Sequence, residues 1–167
     1  MESIAIVEQG RSLSRCLTGL ARPVRSLGPA GGQAALVVVA PDGCPLPQGP
    51  LRCRVLLLPG RLAPLAGAVQ AGWVVSYGLE GRDTLTLSSL SPRRPCLALQ
   101  RELVTLTGRC LEPQEIPLPP WPAGLSPHLL LAWAGVWLLA GTPPAAMGGL
   151  PLPGAEKKPC PFPGKGL

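Results

Sequence analysis

Ala34-Ala35-Leu36-Val37-Val38-Val39-Ala40 is an unbroken apolar run rich in β-branched side chains, and Pro41-Asp42-Gly43 ends it with turn residues. A continuous run of this kind marks a strand covered on both faces, as in the parallel sheets of α/β proteins.

The flanking segments agree with that reading. Upstream, Ser3 to Val7 forms a short buried strand broken by Gln9-Gly10. Leu13, Cys16, Leu17 and Leu20 then recur at helical spacing, so Ser12 to Ala21 is expected to be a helix with Ser12 as its N-cap and Pro23 beyond its end. Downstream, Cys53 to Leu58 is a third strand, stopped by Pro59-Gly60. Leu62 to Gln70 is a short helix with Pro64 in its first turn, where a missing N–H costs little. Trp73 to Tyr77 is a fourth strand closed by Gly78. Strands alternating with helical segments predict an α/β fold with a small, Rossmann-like parallel sheet of about four strands.

The pattern then changes. Thr84 to Leu87 alternates apolar and polar. Cys96 to Leu106 fits either period; Thr107-Gly108-Arg109 has the chemistry of a hairpin turn, which favours a strand. The return strand is Cys110 to Leu118, bent at Pro113, so this β extension is expected to be antiparallel and half-exposed. The domain reading is a compact body over 1–118, a proline-rich linker over 119–127, an apolar helix segment over 128–147 that docks on the body, and a disordered Pro/Gly/Lys tail over 148–167.

The helix at 129–140 (LLLAWAGVWLLA) is capped by Ser126, has Pro127 at its first position and ends at Gly141. A bilayer span needs roughly 20 apolar residues, so this run is expected to be a buried or docking helix, with a membrane-surface role as the alternative. Trp133 and Trp137 lie four apart on one face and form a candidate contact surface for a protein partner.

Composition limits the rest. The 167 residues include 21 glycines and 23 prolines, but 46% are apolar and the net charge is only +6, which excludes a fully disordered chain. Arginines are scattered, and the only Phe and Tyr are Phe162 and Tyr77, so no stacking platform for nucleic acid is expected. Six cysteines show no Cys-x-x-Cys, and the single His128 lies apart from them, so neither a metal site nor a cofactor is expected. Met1 to Glu8 lacks the basic start and long apolar stretch of a signal peptide, so the chain is expected to be cytoplasmic with reduced thiols.

No phosphate-binding glycine loop and no nucleophile–base pair stands in the sequence, so no catalytic residue is assigned. Two segments carry the ligand-binding expectation. Arg11 and Ser12 follow the first strand, where the start of a helix turns amide N–H groups toward an anion, although Glu8 opposes one electrostatically. Tyr77, Gly78, Arg82 and Asp83 belong to the loop after the fourth strand, at the carboxyl end where open α/β sheets bind ligands.

Val74-Val75-Ser76-Tyr77-Gly78-Leu79, followed much later by Leu129 to Met147, resembles two elements of the central domain of the Mur ligases, the ATP-dependent ligases of peptidoglycan precursors. The resemblance covers residues 34 to 150 at most. It implies a bacterial protein and a non-catalytic relative of that domain, because the family's phosphate loop, metal-binding residues and modified lysine have no counterpart here. The other reading is an enzyme of unknown reaction that binds a nucleotide or sugar nucleotide.

Overall fold

In the computed structural model, which describes residues 2–43, 46–122 and 124–151, the chain runs β1 (Ile4–Val7), α1 (Ser12–Cys16), β2 (Val24–Ser26), β3 (Gly32–Val39), β4 (Leu51–Pro59), a 3-10 segment (Gly60–Ala68) and β5 (Gln70–Tyr77). It continues through β6 (Leu85–Ser89), β7 (Cys96–Leu99), β8 (Leu103–Val104), β9 (Cys110–Leu111), β10 (Gln114–Pro117), α2 (Pro127–Ala140) and a 3-10 turn (Pro144–Gly149).

Eight strands form one sheet in the order β2-β1-β3-β4-β5-β6-β7-β10. From β2 to β6 each neighbour is parallel; β6, β7 and β10 are antiparallel. The fold is therefore α/β with a largely parallel sheet. The apolar run lies in β3, between β1 and β4, with Leu36 opposite Ile4 and Val55, and Leu36 to Ala40 have no exposed surface.

The sheet is larger than the four parallel strands expected. β2 has three residues and one apolar side chain, too few to show a period. It is ordered by pairing along β1, with Ile4 opposite Val24, and by the Leu27 N–H donating to the Ile6 carbonyl at 2.9 Å. The expected late hairpin is split. β8 and β9 pair around Gly108, whose φ is +85°, as a separate two-stranded sheet, while β7 and β10 join the main sheet with Leu97 opposite Ile116. Pro113 separates β9 from β10, consistent with its missing N–H.

The first helix is shorter than its apolar stripe. α1 ends at Cys16, and Gly19 takes a positive φ of +85°, outside the helical region. The stripe still points inward: Leu13, Cys16 and Leu17 are buried and Leu20 packs against the same cluster.

One face of the sheet carries α2, which lies over β3 to β6. Every α2 residue from Leu129 to Leu139 is buried, as an all-apolar helix requires. Gly135 lets it approach closely, since a Cβ there would stand 2.8 Å from Leu57 Cδ2 and 3.0 Å from Leu85 Cδ1. The expected caps are present: Ser126 Oγ accepts from the His128 N–H at 3.1 Å, Pro127 starts the helix, and Gly141 closes it in a left-handed conformation.

This burial corrects the contact-surface expectation for the tryptophans. Trp133 is fully buried and Trp137 is 8% exposed, so both rings face the interior. Trp133 Nε1 donates to the Cys16 carbonyl at 3.1 Å, tying α2 to the end of α1. Trp121 stacks obliquely on Trp133, with centroids 5.7 Å apart, so the proline-rich segment contributes a core ring. No helix among the described residues is long and apolar enough to cross a membrane. Residues 152–167 of the expected tail lie outside the described residues; Gly148 and Gly149 close the last 3-10 turn.

The opposite face is covered more thinly. Ala5, Val37, Val39, Leu56 and Leu58 form a second cluster, closed by Leu62 of the 3-10 segment.

Candidate functional site

The expected anion site after β1 is filled by the chain's own carboxylate. Glu8 Oε2 accepts from the N–H groups of Leu13 (3.2 Å) and Ser14 (3.3 Å), and the Ser14 hydroxyl donates to Oε1. Glu8 thus satisfies amides that open α1, and Ser12 is the first helical residue rather than the cap. Arg11 stands before the helix and makes no side-chain cap. Asp42, in the turn after β3, accepts from the Gly10 N–H at 3.2 Å. Partial burial raises the Glu8 pKa above its ordinary value, against the opposing pull of the two amides.

Tyr77 serves the core. Its ring is fully buried, and its hydroxyl donates to the Val39 carbonyl at 2.6 Å, linking β5 to β3 across β4. Burial pushes the phenol far above its ordinary pKa, so it stays protonated.

Gly78 and Asp83 do meet. Asp83 is 3% exposed, and its Oδ2 accepts from the Glu80 N–H at 3.2 Å. A Cβ at Gly60 or Gly78 would collide with the Asp83 carboxyl group, so the two glycines make room for it. Gln100 Nε2 donates to the Asp83 carbonyl at 3.0 Å, bracing the loop against the end of β7.

Beside this loop, at the carboxyl ends of β4 and β5, lies a cavity of about 360 Å³ lined by Arg61, Arg82, Arg101, Ser76, Asp83 and the 3-10 segment. Arg61 donates to the Pro41 carbonyl, and Arg82 Nε pairs with Glu80 at 2.8 Å on the surface. Arg101 has no hydrogen-bonding or ionic partner among the described residues. Ser76 Oγ accepts from the Thr84 N–H at 3.2 Å. Three guanidinium groups thus border one concavity that contains a single, already engaged carboxylate.

Sequence reasoning found Arg82 and Asp83 of this site but missed Arg61, Arg101 and Ser76. Arg101 follows β7, far along the chain, and reaches the pocket only because β7 folds back beside β6. Arg61 follows Pro59-Gly60 directly, and a charged residue at the carboxyl end of an apolar strand was the signal that could have flagged it.

No known family, curated protein or solved structure matches the chain. The site's chemistry is therefore argued from its own groups. No cluster of three or more potential metal-ligating side chains occurs among the described residues. Cys16, Cys53, Cys96 and Cys110 are free thiols. Burial pushes the Cys53 thiol up to about 11, which keeps it protonated and unreactive near neutral pH.

Proposed function

We propose that this is a non-catalytic α/β binding protein that holds a small anionic molecule of nucleotide or sugar-nucleotide type at the carboxyl ends of β4 and β5. The observation that carries this reading is the convergence of Arg61, Arg82 and Arg101 on one cavity. Guanidinium groups bind phosphate in two-pronged geometry, and Arg101 retains its donors for that purpose. The position at the carboxyl ends of parallel strands is where open α/β sheets take ligands.

Binding without chemistry is favoured because the acid and the hydroxyl that line the cavity are already engaged. The Asp83 carboxyl group and Ser76 Oγ both hold the loop's own amides. The Mur-ligase resemblance fits this reading as descent from a ligand-binding central domain that lacks the phosphate loop. In support, Tyr77-Gly78 ends a strand of the sheet and 129–140 is helical, in the family's order. A bacterial setting belongs to the same proposal through the resemblance, and a cytoplasmic one through the free thiols of Cys16, Cys53, Cys96 and Cys110.

The test is a thermal-shift and calorimetric screen of nucleoside diphosphates and sugar nucleotides. A bound ligand raises the melting temperature, and Arg101→Gln weakens binding about tenfold or more, the usual cost of a lost charge-assisted contact. No shift with any of these compounds at millimolar concentration overturns the proposal.

A further inference from the structure

The opposite end of the sheet holds a second, larger concavity. A groove of about 870 Å³ runs along the amino ends of β1, β3 and β4, bordered by Arg25, Arg52 and Arg54 and by one carboxylate, Glu2. Arg25 donates to the carbonyl of Gln33 on β3. Gln33 is the register partner of Arg52 on β4, so Arg25 and Arg52 flank the same β3 residue. Arg52 Nε donates to Gln70 Oε1 at 3.0 Å. Arg54 donates to the Leu106 carbonyl at 3.2 Å and stands 3.5 Å from Glu2, whose other oxygen pairs with Arg22.

Two features separate this groove from ordinary surface charge. Three arginines, Arg25, Arg52 and Arg54, line a groove with one carboxylate, Glu2, and that carboxylate is shared by Arg22 and Arg54. Arg25 and Arg52 donate to neutral acceptors, and neither forms an ion pair among the described residues. Each guanidinium carries five N–H donors, and one fixed bond orients the fork while leaving others available. The volume falls within the range of small-molecule sites.

We propose that this groove is a binding site for a ligand carrying two neighbouring oxyanion groups, phosphate or carboxylate, with Arg25 and Arg52 as its anchors and Arg54 in support. One group bonds each anchor fork across Gln33. The proposal is independent of the cavity at the carboxyl ends, which lies at the other end of the strands.

The test is titration calorimetry of the full chain at low salt, with inorganic pyrophosphate and citrate as probes. Wild type binds at least one of them. R25Q/R52Q weakens that binding at least tenfold, while R93Q/R94Q, which removes the same charge from an exposed loop, leaves it within about twofold; R61Q/R101Q, measured in parallel, reads the share of each probe taken by the carboxyl-end cavity. The tighter probe assigns the oxyanion as phosphate or carboxylate. Circular dichroism verifies that R25Q/R52Q is folded; if it is not, the single variant R52Q carries the same comparison. The proposal is overturned by the absence of binding to either probe, by unchanged binding in the groove variant, by an equal loss in R93Q/R94Q, or by a loss confined to R61Q/R101Q.

Discussion

At the carboxyl ends of β1, β3 and β5, Glu8, Asp42 and Asp83 accept hydrogen bonds from the chain's own amides, whereas at the amino ends Arg25, Arg52 and Arg54 line a groove with a single carboxylate, Glu2, which pairs with Arg22 and Arg54. The contrast follows from the backbone. A strand that leaves a parallel sheet at its carboxyl end enters a turn with unpaired N–H groups, and nearby acids satisfy them. At the amino ends the guanidinium groups of Arg25 and Arg54 find carbonyl acceptors, at Gln33 and Leu106. Acids used in this way are lost as ligand groups, while an arginine held by one carbonyl still has donors to offer. An anion site is therefore closed by the chain itself after β1 and left open at the amino ends.

The largest effect comes from the layer that serves both ends. Gly135→Leu forces a side chain into the contact with Leu57 and Leu85 and is expected to cost about 3 kcal/mol, measured by urea unfolding. Both ends of the sheet fail together in this variant. Loss of binding at one end with the other intact would show that the ends are uncoupled from the shared core.

A smaller change tests the self-filled turn after β1. Glu8→Ala leaves the Leu13 and Ser14 amides without their carboxylate and is expected to cost about 1 kcal/mol, the usual worth of a helix cap. Its pH dependence has a definite sign. Burial holds the native pKa of Glu8 above its ordinary 4.5, so its contribution from the protonated form is present below that value and lost as pH rises through the native pKa. Glu8→Gln abolishes this dependence. Parallel stability–pH curves for wild type and Glu8→Gln just above pH 4.5 would contradict the assignment.

The smallest effect belongs to the open end. Glu2 is about half exposed, so Glu2→Gln is expected to change stability by about 0.5 kcal/mol or less, because exposed ion pairs are screened by water. It nevertheless frees Arg22 and Arg54, so pyrophosphate or citrate binding in the amino-end groove tightens. A large stability loss with no gain in binding would reverse the contrast between the two ends.

Much of this arrangement was legible in the residues. Runs such as Ala34–Ala40 and Leu129–Ala140 announce buried elements because nothing in them tolerates water. The caps at Ser126, Pro127 and Gly141 act within a few residues of their own position, so local chemistry is enough to find them. β2 escaped notice because its order is supplied by β1, and Val24-Arg25-Ser26 has no pattern of its own. Tyr77 stands in the sequence beside an exposed polar loop, while its hydroxyl points inward to a carbonyl two strands away, a direction no local pattern reveals. The arginine groove had one faint signal: Arg52 and Arg54 alternate at the start of an otherwise apolar strand. Arg25 joins them only through sheet order.

The sequence by itself determined the α/β class, the position of the central strands, the burial of the C-terminal helix and its caps. Those features depend on period, β-branching and turn residues, which act over a few residues. Tertiary structure alone decided which charges meet. Arg61, Arg82 and Arg101 converge because β7 folds back beside β6, and Arg25 reaches the vicinity of Arg52 because β1 and β3 are all that separate β2 from β4. The physical reason is range: hydrophobic pattern is written locally along the chain, whereas the encounter of side chains tens of residues apart depends on sheet order, which no local pattern encodes.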